Sequence, residues 1–174
     1  AALNAGLSFS IPAHLVNQVC GSGLRSVVSG FQTLKLDEAK YIICGGQENM
    51  SLAPHTIAYK DIKNFSEQQV TDTMVFDGLI DAFNNYHMGV TAENIAMIHN
   101  ISREQQDDFA LKSQKKTQIA IQNKKFEKEL VKIKLKQTIF RKDEHPRENL
   151  ELINLKKLKT VFKKDGTVTP GNSS

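Results

Sequence analysis

Cysteine occurs only at Cys20 and Cys44 in 174 residues, too few for a disulfide framework, so a reducing compartment, the cytoplasm, is the expected location. No apolar run approaches the length that spans a bilayer, and no membrane partner is expected. The first six residues, Ala1-Ala2-Leu3-Asn4-Ala5-Gly6, lack the basic start and apolar stretch of a secretory signal. They read as the end of a helix with Gly6 as its C-terminal cap. No initiator methionine is present, so the chain is expected to begin inside a longer fold. Internal repeats and low-complexity tracts are absent. Aromatic platforms are also missing from the basic stretches, where nineteen of the twenty-three cations are lysines interspersed with acids. That disfavours nucleic acid as a partner and fits a solvated surface.

Charge is unevenly spread. Residues 1–100 carry five Lys or Arg against nine Asp or Glu, a balance of −4, while residues 101–174 carry eighteen against ten, a balance of +8. With 40% hydrophobic residues the chain can build one ordinary core.

The pattern begins as an αβ rhythm. Residues 13–19 read as a short buried strand, and Leu24, Val27, Val28, Phe31 and Leu34 recur at helical spacing after it. Residues 41–44 read as a second strand, ended by Gly45-Gly46, so a small, mainly parallel sheet is expected. From Met50 to Val90 periodicity gives way to an irregular excursion of the kind that is usually functional. Ser102-Arg103-Glu104-Gln105 is a capping-box signature for a helix of about twenty residues ending near Asn123, with Phe109, Ala110, Ile119 and Ala120 on its apolar face. Residues 131–136 alternate as a strand with one wet face does, and residues 149–158 read as a short helix.

Cys20 lies between the first strand pattern and the first helix, with Gly21 and Gly23 permitting a tight turn. A thiol there meets the positive end of a helix and several unpaired amides, an environment suited to a nucleophile and to a developing oxyanion. A buried structural cysteine is the other reading, and the local chemistry leaves both open.

Longer strings carry a family resemblance. Val16-Asn17-Gln18-Val19-Cys20-Gly21-Ser22-Gly23-Leu24 resembles the nucleophile motif of the thiolases, and Gly45-Gly46-Gln47-Glu48-Asn49-Met50-Ser51 their next block. Asp77-Gly78-Leu79-Ile80-Asp81-Ala82-Phe83 and Tyr86-His87-Met88-Gly89-Val90-Thr91-Ala92-Glu93-Asn94 follow in the family's order. Asp143-Glu144-His145-Pro146-Arg147 and Asp165-Gly166-Thr167-Val168-Thr169-Pro170-Gly171-Asn172-Ser173-Ser174 resemble its closing loop-domain blocks. Cys-Gly-Ser-Gly together with His87-Met88-Gly89 points to the biosynthetic, acetoacetyl-CoA-forming branch.

The resemblance implies an α/β fold class, a fragment of the thiolase fold. Residues 1–52 would be the later part of the first α/β half, and residues 53–174 the inserted loop domain that binds CoA. It implies an acyltransferase that forms or cleaves acetoacetyl-CoA through an acyl-enzyme on Cys20. No covalently bound cofactor and no metal are expected; coenzyme A and acetyl-CoA enter as substrates, and the full-length family member is a homo-oligomer. Leu79, His87, Met88, Arg147, Phe162, Pro170 and Ser174 match CoA-binding positions, Arg147 near the nucleotide end. Taken singly, Leu79, Met88 and Phe162 would be core residues, His87 a satisfied polar one and Arg147 a solvated one; the ordered blocks mark them out. None of His14, His55, His87, His99 and His145 sits in the Gly-His-Pro motif that carries the family's activating histidine. The family's second catalytic cysteine has no counterpart, since Cys44 reads as packing. The isolated chain is therefore expected to be inactive. A non-catalytic CoA-binding or oligomerisation module is the alternative.

Overall fold

A computed structural model describes residues 1–58 and 70–173. The chain divides into two compact units, Ala1–Gly78 and Leu79–Ser174. Among the described residues no helix is long and apolar enough to cross a membrane.

The first unit is built around helix α1, Ser22–Lys35. A 3₁₀ turn, Leu3–Ala5, precedes it and ends at Gly6, whose φ of 83° and amide bond to the Leu3 carbonyl make it the expected cap. Gly30 is the one buried residue of α1, because Ile42 and Cys44 press against it and leave no room for a side chain. Tyr41 and Ile43 point away and are exposed, so residues 41–44 alternate in the two-residue period of a strand. They are not one, however. Residues 13–19 are likewise exposed apart from half-buried Val16, Leu15 almost completely, and pair with no second segment, Gln18 bridging only to Cys20, instead of forming a buried strand. A strand exists only by hydrogen-bonding a neighbour, and neither segment finds one among the described residues. The expected parallel sheet is accordingly absent there. Among the described residues both sheets are two-stranded and antiparallel: β1 (His55–Thr56) with β2 (Thr71–Asp72), and β3 (Ile133–Lys134) with β4 (Ile139–Phe140). Helix α2, Thr73–Gly78, closes the unit. The apolar stripe read on α1 is real but uncovered, with Leu24 73% and Phe31 59% exposed.

The second unit holds the longer helices, α3 (Met88–Ile98) and α4 (Arg103–Gln122), and the short α5 (Leu152–Lys156). The capping box opens α4 as read: the Gln105 amide donates to Ser102 Oγ, the Ser102 amide to Gln105 Oε1, and Asn123 is the C-cap. Its buried face is Asp107, Ala110 and Leu111, whereas Phe109 and Ile119 point outward, contrary to expectation. Ala110, Leu111 and Leu155 form the core, with Leu150, Leu152 and Leu158 packed around it. Residues 131–136 pair only at β3, so the alternating run makes a hairpin arm rather than a sheet member.

Candidate functional site

The turn carrying Cys20 is strained and then tied down. Val19 adopts φ 50°, a left-handed conformation that costs a β-branched residue about 1–3 kcal/mol. Four bonds compensate. The Val19 amide donates to Asn17 Oδ1 at 3.0 Å, the Ser22 hydroxyl to the Val19 carbonyl at 2.7 Å, the Gln18 amide to Ser22 Oγ at 2.8 Å and the Gly21 amide to the Gln18 carbonyl at 2.9 Å. A Cβ on Gly21 would lie 3.3 Å from the Gln18 carbonyl oxygen, so the turn favours glycine there. Cys20 is left exposed one residue ahead of the Gly21 N-cap, and no side chain caps α1. Among the described residues the amides of Cys20, Gly23 and Leu24 have no acceptor. Unpaired amides at a helix start, with a thiol one residue before its cap, are donors of the kind an oxyanion takes. No histidine or carboxylate bonds the Cys20 sulfur among the described residues.

In the second unit Leu79, His87 and Met88 are brought together by a loop that Asp81 organises. Its carboxylate accepts from the Phe83 and Asn84 amides and from Asn84 Nδ2, and Asn85 takes a left-handed φ of 55°. The Asn84 side chain, then the two amides, hold the Asp81 carboxyl below its ordinary value. The chain returns so that Ile80 bridges His87 and the Met88 amide donates to the Leu79 carbonyl at 2.8 Å. His87 then caps α3, its Nδ1 accepting from the Gly89 amide at 2.9 Å, which leaves the ring proton on Nε2. Phe162 stacks on the His87 ring, centroids 4.7 Å apart and planes 21° from parallel. Met88 remains exposed at this edge.

Gly89 is the reason the stack fits, since a Cβ there would run into the Phe162 ring. Gly→Ala inside a helix ordinarily stabilises by up to about 1 kcal/mol. Here Gly89→Ala is expected to destabilise the second unit by about 1–3 kcal/mol, because the ring must move. Thermal unfolding followed by circular dichroism gives the sign; a stabilised variant would contradict the packing.

Phe162 also lines an open groove of about 450 Å³ formed by residues 159–165, where Lys159, Lys163 and Lys164 supply positive charge. Sequence reasoning missed these lysines because it treated the basic stretches as solvated surface. It also missed Glu93, Asp107 and Asn172. Glu93, 5% exposed, accepts from the Thr167 and Val168 amides and the Thr167 hydroxyl at 2.8–2.9 Å. Burial pushes its carboxyl up, but those bonds and the Lys163 charge outweigh it and hold the group below the usual glutamate value. Asp107 is fully buried, accepting from Arg103 Nε at 2.8 Å and Asn172 Nδ2 at 2.9 Å. Glu93 and Asn172 stood within the sequence blocks above, but nothing local marks an acid as buried.

The remaining candidates divide. Pro170 sits in the turn that Asn172 closes by accepting from the Thr169 amide at 2.8 Å. Ser174 lies outside the described residues. Arg147 lines a different cavity, about 690 Å³, with Lys124, Lys132, Arg141 and Lys142, and shares it with none of the other predicted residues among those described. Gln118 also lines it, and its Nε2 is a buried donor without an acceptor among the described residues.

The family model described as "Thiolase, N-terminal domain" matches residues 1–174. A "Probable acetyl-CoA acyltransferase" of Staphylococcus aureus is 44% identical over 180 residues, covering 100% of this chain and 46% of its own. An "Acetyl-CoA acetyltransferase" of Allochromatium vinosum is 44% identical over 178 residues, covering 99% and 45%. Among solved structures, that of the Bacillus anthracis acetyl-CoA acetyltransferase superposes with a TM-score of 0.90 at 32% identity, over 99% of this chain and 45% of that one. The chain thus spans a little under half the length of these relatives.

Proposed function

Because this chain belongs to the thiolase family, we propose that it carries the nucleophile and CoA-binding residues of an acetyl-CoA acetyltransferase, with residues 1–52 the α/β part and 53–174 the loop domain. The observation that carries this is Cys20, exposed in a strained turn beside three free amides. Cys20 as thiolate attacks the carbonyl carbon of acetyl-CoA, and the oxyanion that forms takes hydrogen bonds from those amides. Collapse expels CoA as thiolate, leaving an acetyl thioester on Cys20. A second acetyl-CoA, deprotonated at its methyl, attacks that thioester; the new carbon–carbon bond gives acetoacetyl-CoA and frees the Cys20 thiolate. The reverse path consumes acetoacetyl-CoA and CoA.

For CoA, Leu79, His87, Met88 and Phe162 offer an apolar and aromatic edge suited to pantetheine; Pro170, in the turn that Asn172 closes, and Ser174 join the set on the family resemblance alone. The lysines of the Phe162 groove and the Arg147 cavity are two cationic places for phosphate. The relatives' names give acetyl-CoA as a substrate by analogy; acetoacetyl-CoA, a homo-oligomeric full-length enzyme and a cytoplasmic location are part of the proposal on the family resemblance alone.

Limiting alkylation of the folded chain, followed by peptide mapping, tests the nucleophile. Cys20 is expected to label about fivefold faster than Cys44, from the helix terminus within this chain, and the difference should vanish in denaturant. Incubation with acetyl-CoA should place acetyl on Cys20 alone. Faster labelling of Cys44 in folded protein would remove the support for Cys20. That no base bonds the Cys20 sulfur among the described residues favours a second reading, a non-catalytic CoA-binding module; acetylation of Cys20 argues against it.

A further inference from the structure

Glu93 does a job that its motif does not assign. It shares the buried stripe of α3 with Gly89 and Ala96, one helical turn beyond the glycine on which Phe162 rests. Residues 161–168 form a closed loop: the Val161 amide donates to the Val168 carbonyl at 3.2 Å and the Gly166 amide to the Lys163 carbonyl at 3.1 Å, with Asp165 at φ 58°. Phe162 stands near one end of this loop. At the other, Thr167 and Val168 are held by the Glu93 carboxylate, which approaches Gly166 so closely that no side chain could stand there. The loop therefore meets α3 at two points, an aromatic contact and an ionic clamp.

We propose that Glu93 is a positioning residue for the ligand-facing pair His87–Phe162, acting through the 161–168 loop to keep the Phe162 ring over the imidazole; its bearing on CoA rests on the reading above. Without the carboxylate, the buried Val168 amide and the part-buried Thr167 amide and hydroxyl lose their acceptor, and the loop must lift to hydrate them. Thr167 keeps other anchors, from Gln106 Nε2 at 2.8 Å to its hydroxyl and from Asn172 Nδ2 at 3.1 Å to its carbonyl. The unit can therefore stay folded while Phe162 moves.

The test uses isotope-labelled full chain and the His87 ring-proton resonances, which the Phe162 ring current displaces. Phe162→Leu fixes the value without the ring. Glu93→Ala is expected to bring His87 to that value with its helical circular dichroism retained, and Glu93→Gln, which keeps one acceptor oxygen, part of the way. Asp107→Asn serves as the structural control; it should lower the unfolding temperature without moving His87. Calorimetric titration with CoA should show about tenfold weaker binding for both Glu93→Ala and Phe162→Leu, and no further loss in the double variant. Unmoved His87 resonances in Glu93→Ala overturn the proposal, as does equal movement in Asp107→Asn. If Glu93→Ala does not fold, unmoved resonances in Glu93→Gln overturn it equally. Should the unmodified chain bind no CoA, the CoA reading fails, while the resonances still decide the role of Glu93.

Discussion

Given acetoacetyl-CoA and CoA, the purified chain is expected to turn over about a thousandfold or more slowly than a full-length acetyl-CoA acetyltransferase assayed beside it. Members of a cooperating catalytic set are not additive, and an isolated nucleophile keeps only what its oxyanion donors supply. Here the donors are present, in the amides of Cys20, Gly23 and Leu24, but no base contacts the Cys20 sulfur among the described residues. Carbon–carbon bond formation also needs a group to take a proton from the acetyl methyl, and no Gly-His-Pro histidine occurs in the sequence. The measurement is loss of acetoacetyl-CoA over time, with Cys20→Ser as the blank. Turnover comparable with the full-length enzyme would mean that a base has been overlooked. Stoichiometric acetylation of Cys20 without turnover is the expected pattern.

What could be read in the sequence was what local chemistry decides. The Ser102–Gln105 capping box and the Gly6 cap are satisfied within a few residues, so their residues suffice to announce them. The place of the turn at Cys20, just before α1, was legible, but not its means: the left-handed residue is Val19 rather than a glycine, Gly23 has open space around it, and the Ser22 hydroxyl bonds the turn within four positions. Strands 13–19 and 41–44 were misread because a ladder is made with a partner that sequence periodicity does not supply. Gly30, packed by Ile42 and Cys44, shows that the second segment still holds the side-chain alternation of a strand.

Helix α3 escaped for a different reason. Its buried stripe is Gly89, Glu93 and Ala96, while Met88, Ile95, Met97 and Ile98 are exposed, the reverse of an amphipathic pattern. The ring pair His87–Phe162 spans 75 positions and was reached only through the family resemblance, as was Arg147, which the structure puts in a cavity apart from the other candidates. Long-range polar partners leave no periodic trace. Glu93 with Thr167, and Asp107 with Asn172, join residues 74 and 65 positions apart.

Those buried acids carry the largest stability effect expected in the second unit. Asp107→Ala should cost about 3 kcal/mol, because it strands the Arg103 guanidinium, whose side chain is only 21% exposed, and the part-buried Asn172 amide, both bonded by a fully buried carboxylate. Arg103 is not left wholly alone: its Nη2 also donates to the Leu155 carbonyl at 2.6 Å and the Leu158 carbonyl at 3.1 Å, tying α4 to the end of α5. Those carbonyl dipoles soften the loss but cannot replace a carboxylate. The adjacent Asp108 gives a matched comparison. It pairs with Lys112 at 2.6 Å, also across one turn, but with side chains 51% and 68% exposed, so Asp108→Ala is expected to cost under about 0.5 kcal/mol. Hydrogen exchange at the α4 amides, followed across a urea series, reports the unit locally and separates it from the first unit. Equal costs for the two substitutions would show that burial adds nothing to the Asp107 pair, and the anchoring of residues 165–173 to α4 would have to be sought elsewhere.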